Sequence, residues 1–258
     1  MKLIKELINK AVILFSIRSQ KNKFVKDLLK KEAIITEATI EENLIMSICS
    51  KYSMTSKVRM WALIQSIKYL VMNEVPGDIV ETGVFKGGNL ILSKKILDIH
   101  SPDSKRTIYG YDTFEGMAKP GENDKDIFGE NPIKFWSKNI NQNYNAWCYS
   151  SIEEVKKNFT NETSNNSSLK LIKGKVEQTL LEQENLPEKI SLLRLDTDWY
   201  ESSKIELEIL YPRLVKGGVL IIDDYGHWEG VKKSVDEYFL NKNIWLHYID
   251  YGCRLLIK

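Results

Sequence analysis

The chain has few cysteines, almost no excess charge and no long apolar run. Only three of its 258 residues are cysteines, and Cys49, Cys148 and Cys253 are too widely spaced to indicate a zinc site or a disulfide scaffold. The formal net charge of +2 is too small to indicate nucleic-acid binding. With 43% hydrophobic and 28% charged residues, the composition is that of a folded globular protein. The length suits one large α/β domain, or one domain with a helical extension.

The N-terminal segment is basic and has its apolar residues at helical spacing. Its apolar run over residues 11–17 is broken by Ser16 and is far too short to span a bilayer. Charged residues also interrupt any signal-peptide core, so we expect a soluble, cytoplasmic protein. A basic amphipathic helix can make weak contact with an anionic membrane surface. The alternative, which we favour, is a helix packed on the domain or on a second subunit of a homo-oligomer.

Periodicity divides the chain near residue 75. Residues 1–75 read as a helical extension, in which Thr55-Ser56 is a candidate N-cap, and Pro76-Gly77 ends it. Residues 76–258 then alternate short apolar strands with helical segments, which predicts an α/β fold: a Rossmann-like, doubly wound, mostly parallel sheet. The predicted strands are 78–82, 107–112, 169–172, 190–196 and 219–223, followed by a C-terminal hairpin over 244–249 and 253–257 that adds an antiparallel strand.

One polar, irregular segment, residues 117–149, does not fit this alternation, although it holds six aromatic residues. Loops of this length inside a compact domain are usually lids or binding loops. We interpret the segment as a lid-like insertion, and the alternative is an insertion with small helices of its own and no role in binding.

Carboxylates follow two of the predicted strands. Asp196-Thr197-Asp198 comes directly after the apolar run 190–195, and Asp223-Asp224 follows the run 218–222. Neighbouring carboxylates raise each other's pKa, so a chain gathers them where a hard cation or a proton transfer must be managed. Ligands bind at this edge of an open α/β sheet. The pattern indicates an enzyme.

A glycine-containing loop follows the first predicted strand. The glycines of residues 81–88 let the backbone approach a ligand closely, and the helix N-terminus that follows favours an anionic group. The loop matches neither the dinucleotide-binding fingerprint nor the Walker motif. Asp112, at the end of the second strand, is placed to accept hydrogen bonds from ribose hydroxyls. Phe114 could cover an adenine face. The alternatives are that Asp112 caps a helix and that Phe114 belongs to the core.

Taken together, these blocks resemble the macrocin O-methyltransferase family, S-adenosylmethionine- and metal-dependent enzymes that act on sugar hydroxyls. The resemblance runs from about residue 54 to 239. It rests on Met54-Thr55-Ser56 with Arg59, and on residues 76–84, 111–117, 173–180, 193–202, 210–212 and 217–226.

The resemblance implies a class I methyltransferase fold and a role for each matching residue. It implies S-adenosylmethionine as cofactor, with its ribose bound by Asp112. The methionine portion and the adenine would be held by Ser56, Glu81, Thr82, Gly83, Gly87, Asn89, Phe114, Gly174 and Val176. It implies Mg²⁺ bound by Asp196, Asp223 and Asp224, with Asp198 as the general base. The implied acceptor is a small molecule or glycan bearing a sugar hydroxyl, such as a glycosylated natural product, a glycolipid or a polysaccharide precursor.

Three positions depart from the family pattern, and two other activities compete with this interpretation. Thr197 stands where many members have a small residue, Trp199 replaces a smaller apolar residue, and Asn89 replaces serine. None removes a ligand, but Trp199 is expected near the sugar, and His227-Trp228 could line the acceptor pocket. A catechol-type phenol methyltransferase needs the same cofactor and metal. A glycosyltransferase with a DxD motif would leave residues 81–88 and Asp223-Asp224 unexplained.

Overall fold

A computed structural model describes residues 34–163 and 167–258 of the chain. The predicted basic helix of the N-terminal segment lies outside the described residues. The first described helix, α1 (Ile40–Cys49), begins with a capping box in which the Thr39 hydroxyl accepts from the Glu42 backbone N–H at 3.1 Å. In return, the Glu42 carboxylate accepts from the Thr39 N–H at 2.7 Å. No helix in this described part is long and apolar enough to cross a membrane.

Residues Met46–Lys258 form one compact unit built on a seven-stranded sheet. The strand order is β3-β2-β1-β4-β5-β7-β6. Neighbours from β3 to β5 are parallel, while β7 is antiparallel to both β5 and β6. This confirms the predicted mostly parallel sheet with an antiparallel C-terminal addition. The strands are β1 (Asp78–Thr82), β2 (Ile108–Asp112), β3 (Leu169–Lys173), β4 (Ile190–Leu195), β5 (Leu214–Ile222), β6 (His247–Tyr248) and β7 (Arg254–Ile257).

The helices join the strands in the expected alternation. Helix α2 (Lys57–Met72) begins at the predicted cap, where Ser56 Oγ accepts from the Arg59 N–H at 3.3 Å. It packs against α3 and β5, so the predicted boundary at residue 75 lies inside the compact unit. The others are α3 (Gly88–His100), α4 (Ile133–Lys138), α5 (Ile152–Glu162), α6 (Val176–Thr179), α7 (Tyr200–Ile209) and α8 (Glu229–Tyr238), with 3₁₀ turns at Gln183–Asn185 and Tyr211–Arg213.

Two element boundaries have local reasons. Helix α7 ends at Ile209, because Pro212 has no N–H for a helix interior and lies in the 3₁₀ turn that follows. Strand β5 starts at Leu214 rather than Val219, because its pairing with β4 continues backward past a register shift.

The order of strands sets the position of the site. The chain winds from β1 outward to β3 on one side, and from β4 outward to β5 on the other. The direction in which successive strands are added to the sheet therefore reverses between β1 and β4. The carboxyl ends of these two strands open a crevice at that point. The residues after β1, β2, β4 and β5 all lie at that edge.

The insertion over residues 117–149 is folded onto this edge. Asp124 is 2% exposed, and its carboxylate accepts from the backbone N–H of Tyr200 at 2.8 Å and of Gly121 at 2.6 Å. Trp147 packs edge-on against Trp199 and Phe135. The carboxylate ties the insertion to the start of α7.

Candidate active site

Three carboxylates converge where β4 and β5 end. One oxygen from each of Asp196, Asp198 and Asp224 lies within 4.8 Å of the others. Asp196 follows the last residue of β4, and Asp224 lies two residues beyond β5. Asp198 and Asp224 both have left-handed backbones, with φ of +67° and +55°, a conformation that non-glycine residues adopt only where their surroundings hold it.

Asp223 is held differently from the other three aspartates. It is 3% exposed, and its two carboxylate oxygens accept from Arg59 and Arg194. The structure therefore brings Asp196, Asp198 and Asp224 together as mutual neighbours, while Asp223 lines the same cleft and accepts from two guanidinium groups.

Arg194 is the buried cation of the site. It lies in β4 and is 2% exposed. Its Nη1 donates to Glu81 and to Asp196, each at 2.7 Å, and its Nη2 donates to the Thr55 hydroxyl at 3.1 Å. With the bond to Asp223, one guanidinium group links β1, β4, β5 and the segment before α2.

Arg59 reaches the cluster from α2. Its Nη1 lies 3.4 Å from Asp224 Oδ1, and its Nε donates to Asp250 at 2.8 Å. The guanidinium also lies 5.6 Å from the centre of the Tyr251 ring. Sequence reasoning gave neither arginine a role, although both lie in the blocks that carry the family resemblance.

Burial and mutual repulsion shift these carboxyl groups. Burial raises the pKa of Asp196, Asp198 and Asp223, and the neighbouring charge of Asp224 raises all three further. Arg194 opposes the rise in the pKa of Asp196 and Asp223. The site therefore has strong affinity for protons or for another cation.

A cleft of about 400 Å³ opens over the cluster, and a smaller cavity of about 70 Å³ adjoins it. Gly83, Asp112 and Asp196 are among the residues that line both. Ser56 and Asn89 line the larger one, and Gly174 and Val176 line the smaller one.

Asp112 and Gly83 shape the passage between the two cavities. The Asp112 carboxylate accepts from the N–H groups of Val84 at 2.7 Å, Phe85 at 3.0 Å and Phe114 at 2.8 Å, so it fixes the turns after β1 and β2. A Cβ on Gly83 would lie 1.9 Å from the carbonyl oxygen of Asp196, at a φ of +77°. Only glycine fits there without displacing the end of β4.

The remaining predicted cofactor residues fall into two groups. Glu81, Thr82 and Gly87 support the cleft from behind without lining either cavity, and Gly87 caps α3 with a φ of +87°. Phe114 also lines neither cavity: with a φ of +50° it turns into the core and is 3% exposed. The structure thus gives Phe114 the core position that was its alternative.

Two acceptor atoms beside the cleft lack partners among the described residues. Glu81 Oε1 accepts from Arg194 and, at 3.0 Å, from Asn89, whereas Glu81 Oε2 and Asn89 Oδ1 are buried without a hydrogen bond. Burial raises the pKa of Glu81 to about 7. Because Asn89 lines the larger cavity, its unpartnered Oδ1 fits the ammonium group of an amino-acid moiety.

The cleft also has an aromatic wall. Trp147, Trp228 and Tyr251 line it, and His227 stands between the last two with its Nδ1 buried and without a partner in the described part of the chain. Trp199, expected near the acceptor, lines neither cavity. It is 3% exposed, and its indole N–H donates to the Ala118 carbonyl at 2.9 Å.

The donor set fits a small divalent cation, because carboxylate oxygens are the ligands that such cations prefer. Three carboxylates converge at one point, and burial together with the neighbouring carboxylates raises the pKa of Asp196 and of Asp198. The two adjoining cavities and the unpartnered acceptors fit a nucleoside joined to an amino-acid moiety.

Comparison with known proteins agrees with this geometry. A sequence model of the macrocin O-methyltransferase (TylF) family matches residues 16–255. Demethyldecarbamoylnovobiocin O-methyltransferase of Streptomyces niveus is 34% identical over 175 residues, which are 67% of this chain and 62% of the relative. The chain thus aligns with less than two thirds of that relative's length. Mycinamicin III 3''-O-methyltransferase of Micromonospora griseorubida is 27% identical over 213 residues, 81% of this chain and 80% of the relative.

A solved structure has the same fold. The O-methyltransferase NovP superposes with a TM-score of 0.74 at 26% identity, over 85% of this chain and 98% of NovP. The resemblance inferred from the motifs is therefore confirmed, and the chain belongs to the macrocin O-methyltransferase (TylF) family.

Proposed function

We propose that the protein is an S-adenosylmethionine- and Mg²⁺-dependent O-methyltransferase that methylates a sugar hydroxyl of a glycosylated natural product. The observation that carries the proposal is the pair of adjoining cavities with a carboxylate cluster beside their junction. The relatives support it, since their names describe O-methyltransferases of natural products.

The cofactor roles follow the position of each residue. Asp112 faces both cavities and would accept hydrogen bonds from the ribose, while Gly174 and Val176 would contact the adenine in the smaller cavity. The methionine portion would extend past Gly83, where Asn89 and Ser56 line the larger cavity. Glu81, Thr82 and Gly87 line neither cavity and would fix the positions of the residues that do.

The acid cluster would hold the metal ion and the base. Asp196 and Asp224 would bind Mg²⁺, Asp223 would join them or orient them through the arginines, and Asp198 would be the general base. When bound, S-adenosylmethionine supplies a methyl group on a sulfonium, and a divalent cation lowers the pKa of a hydroxyl that coordinates to it.

Asp198 is suited to the proton transfer. As the acceptor oxygen bonds to the methyl carbon and the carbon–sulfur bond breaks, a carboxylate oxygen of Asp198 takes the hydroxyl proton. Burial and the nearby Asp224 raise the pKa of Asp198, which makes it a stronger base than an exposed aspartate. The insertion would exclude water from this step, with Trp147 and Trp228 packed against the sugar.

The first test is calorimetric titration of S-adenosylhomocysteine into the wild type and the Asp112→Asn variant. Asparagine preserves one acceptor for the backbone N–H groups but removes the charge. We expect micromolar binding to the wild type and at least tenfold weaker binding to the variant. The matched control is Asp103→Asn, at an exposed position, which should bind as the wild type does. No binding by folded wild-type protein contradicts the proposal.

The second test identifies the acceptor. Demethyldecarbamoylnovobiocin, mycinamicin III, a nucleotide-linked deoxysugar and catechol are incubated with S-adenosylmethionine, with and without Mg²⁺. We expect methylation of a sugar hydroxyl that requires Mg²⁺ and is lost in Asp198→Asn. Turnover of catechol alone would favour the phenol methyltransferase instead. The cytoplasmic location and the homo-oligomer stay predictions, to be tested by fractionation and by light scattering.

A further inference from the structure

A buried carboxyl group below the acid cluster has no part in the function proposed above. Glu206 lies on α7 and is 0% exposed. The hydroxyl of Thr197 donates to its Oε1 at 2.9 Å, and a side-chain hydrogen bond with Thr82 of β1 also lowers the pKa of Glu206. A buried carboxyl group is costly to keep, so its position next to the site calls for a physical reason.

The Thr197 hydroxyl that binds Glu206 lies inside the acid cluster. Thr197 stands between Asp196 and Asp198 in the sequence. Its side chain joins the wall of the smaller cavity. Burial raises the pKa of Glu206 to about 8, so at neutral pH the group binds the hydroxyl without adding another negative charge to the cluster.

The segment that Thr197 belongs to is under backbone strain. Asp198 has a φ of +67°, and the next residue, Trp199, donates its N–H to the Thr197 carbonyl at 2.9 Å before α7 begins at Tyr200. Left-handed aspartates persist where surrounding contacts determine the turn. The side-chain bond to Glu206 fixes the residue before Asp198 to the helix that follows it.

We propose that Thr197 and Glu206 form a positioning pair that holds the strained turn, so that the carboxylate of Asp198 stays beside Asp196 and Asp224. The inference rests on the proposed function, because it gives the pair a purpose at the metal and base site. Neither residue touches the reacting atoms.

The test measures Mn²⁺ binding, which reports the cluster without needing an acceptor. Electron paramagnetic resonance gives the Mn²⁺ affinity in the presence of S-adenosylhomocysteine. We expect Thr197→Val, which removes only the hydroxyl, to weaken Mn²⁺ binding about tenfold, the effect of losing an outer hydrogen-bond partner of a ligand group. Thr197→Ser retains the hydroxyl and should restore wild-type affinity. Glu206→Gln retains an acceptor oxygen and should also bind Mn²⁺ as the wild type does.

A double-mutant cycle separates a pair from two independent residues. If the two side chains act together, Thr197→Val in combination with Glu206→Leu should weaken Mn²⁺ binding no more than Thr197→Val alone. The matched control is Glu208→Gln, an exposed carboxyl group two residues along the same helix, which should leave Mn²⁺ binding unchanged. The unfolding midpoint of each variant is measured alongside.

The outcomes are distinguishable. Wild-type Mn²⁺ affinity in Thr197→Val, even with a lower unfolding midpoint, shows a structural bond only and overturns the inference while the proposed function stands. Equal losses in Thr197→Ser and Thr197→Val also overturn it. Wild-type protein that binds neither S-adenosylhomocysteine nor Mn²⁺ overturns both.

Discussion

Replacing Arg194 with methionine tests whether the site depends on its buried cation. Arg194 contacts Glu81, Asp196 and Asp223, all at the carboxyl-terminal edge of the sheet. Methionine has a similar length and fits an apolar strand, but it leaves Glu81 and Asp196 without a guanidinium partner and Asp223 with Arg59 alone. We expect the variant to be less stable because the positive charge of the guanidinium group is lost, and not because the volume of the side chain changes.

The structure sets the size of the effect. Hydrogen bonds to charged groups contribute about 1.5–3 kcal/mol each, and breaking a buried ion pair from one side costs about 3–5 kcal/mol. Because the carboxyl groups can relieve part of the cost by taking up protons, we expect Arg194→Met to lower the free energy of unfolding by about 3–5 kcal/mol at pH 8.

The loss should depend on pH. Burial raises the pKa of Glu81 from 4.5 to about 7, and Arg194 opposes that rise, so the variant raises this pKa further. A carboxyl group whose pKa is higher in the folded state binds more protons when folded, so stability falls as pH rises from the unfolded to the folded pKa. Arg194→Met should therefore be closer to the wild type at pH 5.5 than at pH 8.

Urea unfolding followed by tryptophan fluorescence at both pH values measures this difference. The control is Arg213→Met, since within residues 34–163 and 167–258 Arg213 donates to two neutral groups, the Pro187 carbonyl at 3.1 Å and the Gln183 amide oxygen at 3.3 Å. Its loss should be about 1–2 kcal/mol and equal at both pH values. A pH-independent loss in Arg194→Met, or one as small as in the control, would refute the electrostatic argument.

Three further predictions follow from local geometry. Gly83→Ala should cost more than about 2 kcal/mol in urea unfolding because its Cβ meets the Asp196 carbonyl, whereas Gly129→Ala, with a similar φ and open space, should cost about 1 kcal/mol. Asp124→Ala should lower the free energy of unfolding by about 1–2 kcal/mol, since it removes the acceptor for the first N–H of α7. His227→Phe should raise the KM for the acceptor while leaving S-adenosylhomocysteine affinity, measured by calorimetry, unchanged.

The sequence predicts the sheet and the position of the acid cluster for one physical reason. Apolar runs ending in aspartates mark buried strands, and the carboxyl ends of parallel strands meet at one edge. Asp196, Asp198 and Asp224 gather accordingly, with Asp112 and Gly83 across the cleft. Strand periodicity alone is enough for this inference.

What the sequence does not predict depends on contacts between distant segments. Arg194 and Glu81 are 113 residues apart, and Arg59 and Asp223 are 164 apart, so no local pattern pairs them. Phe114 was expected over the adenine, but the left-handed backbone that Asp112 helps to fix turns it into the core. Such orientations follow from backbone dihedral angles that residue type does not determine.

The arginines also support the proposal that Asp198 is the general base. Arg194 bonds Asp196 and Asp223, and Arg59 bonds Asp223 and approaches Asp224. Within the described part of the chain, Asp198 is the one aspartate of the four with no arginine or lysine nitrogen within 4.0 Å. A guanidinium group stabilises the ionised form of its partner and so weakens it as a base, while an unpaired carboxylate in the same field keeps a raised pKa. Charge pairing thus leaves Asp198, on its strained turn, as the group best able to accept a proton from the acceptor.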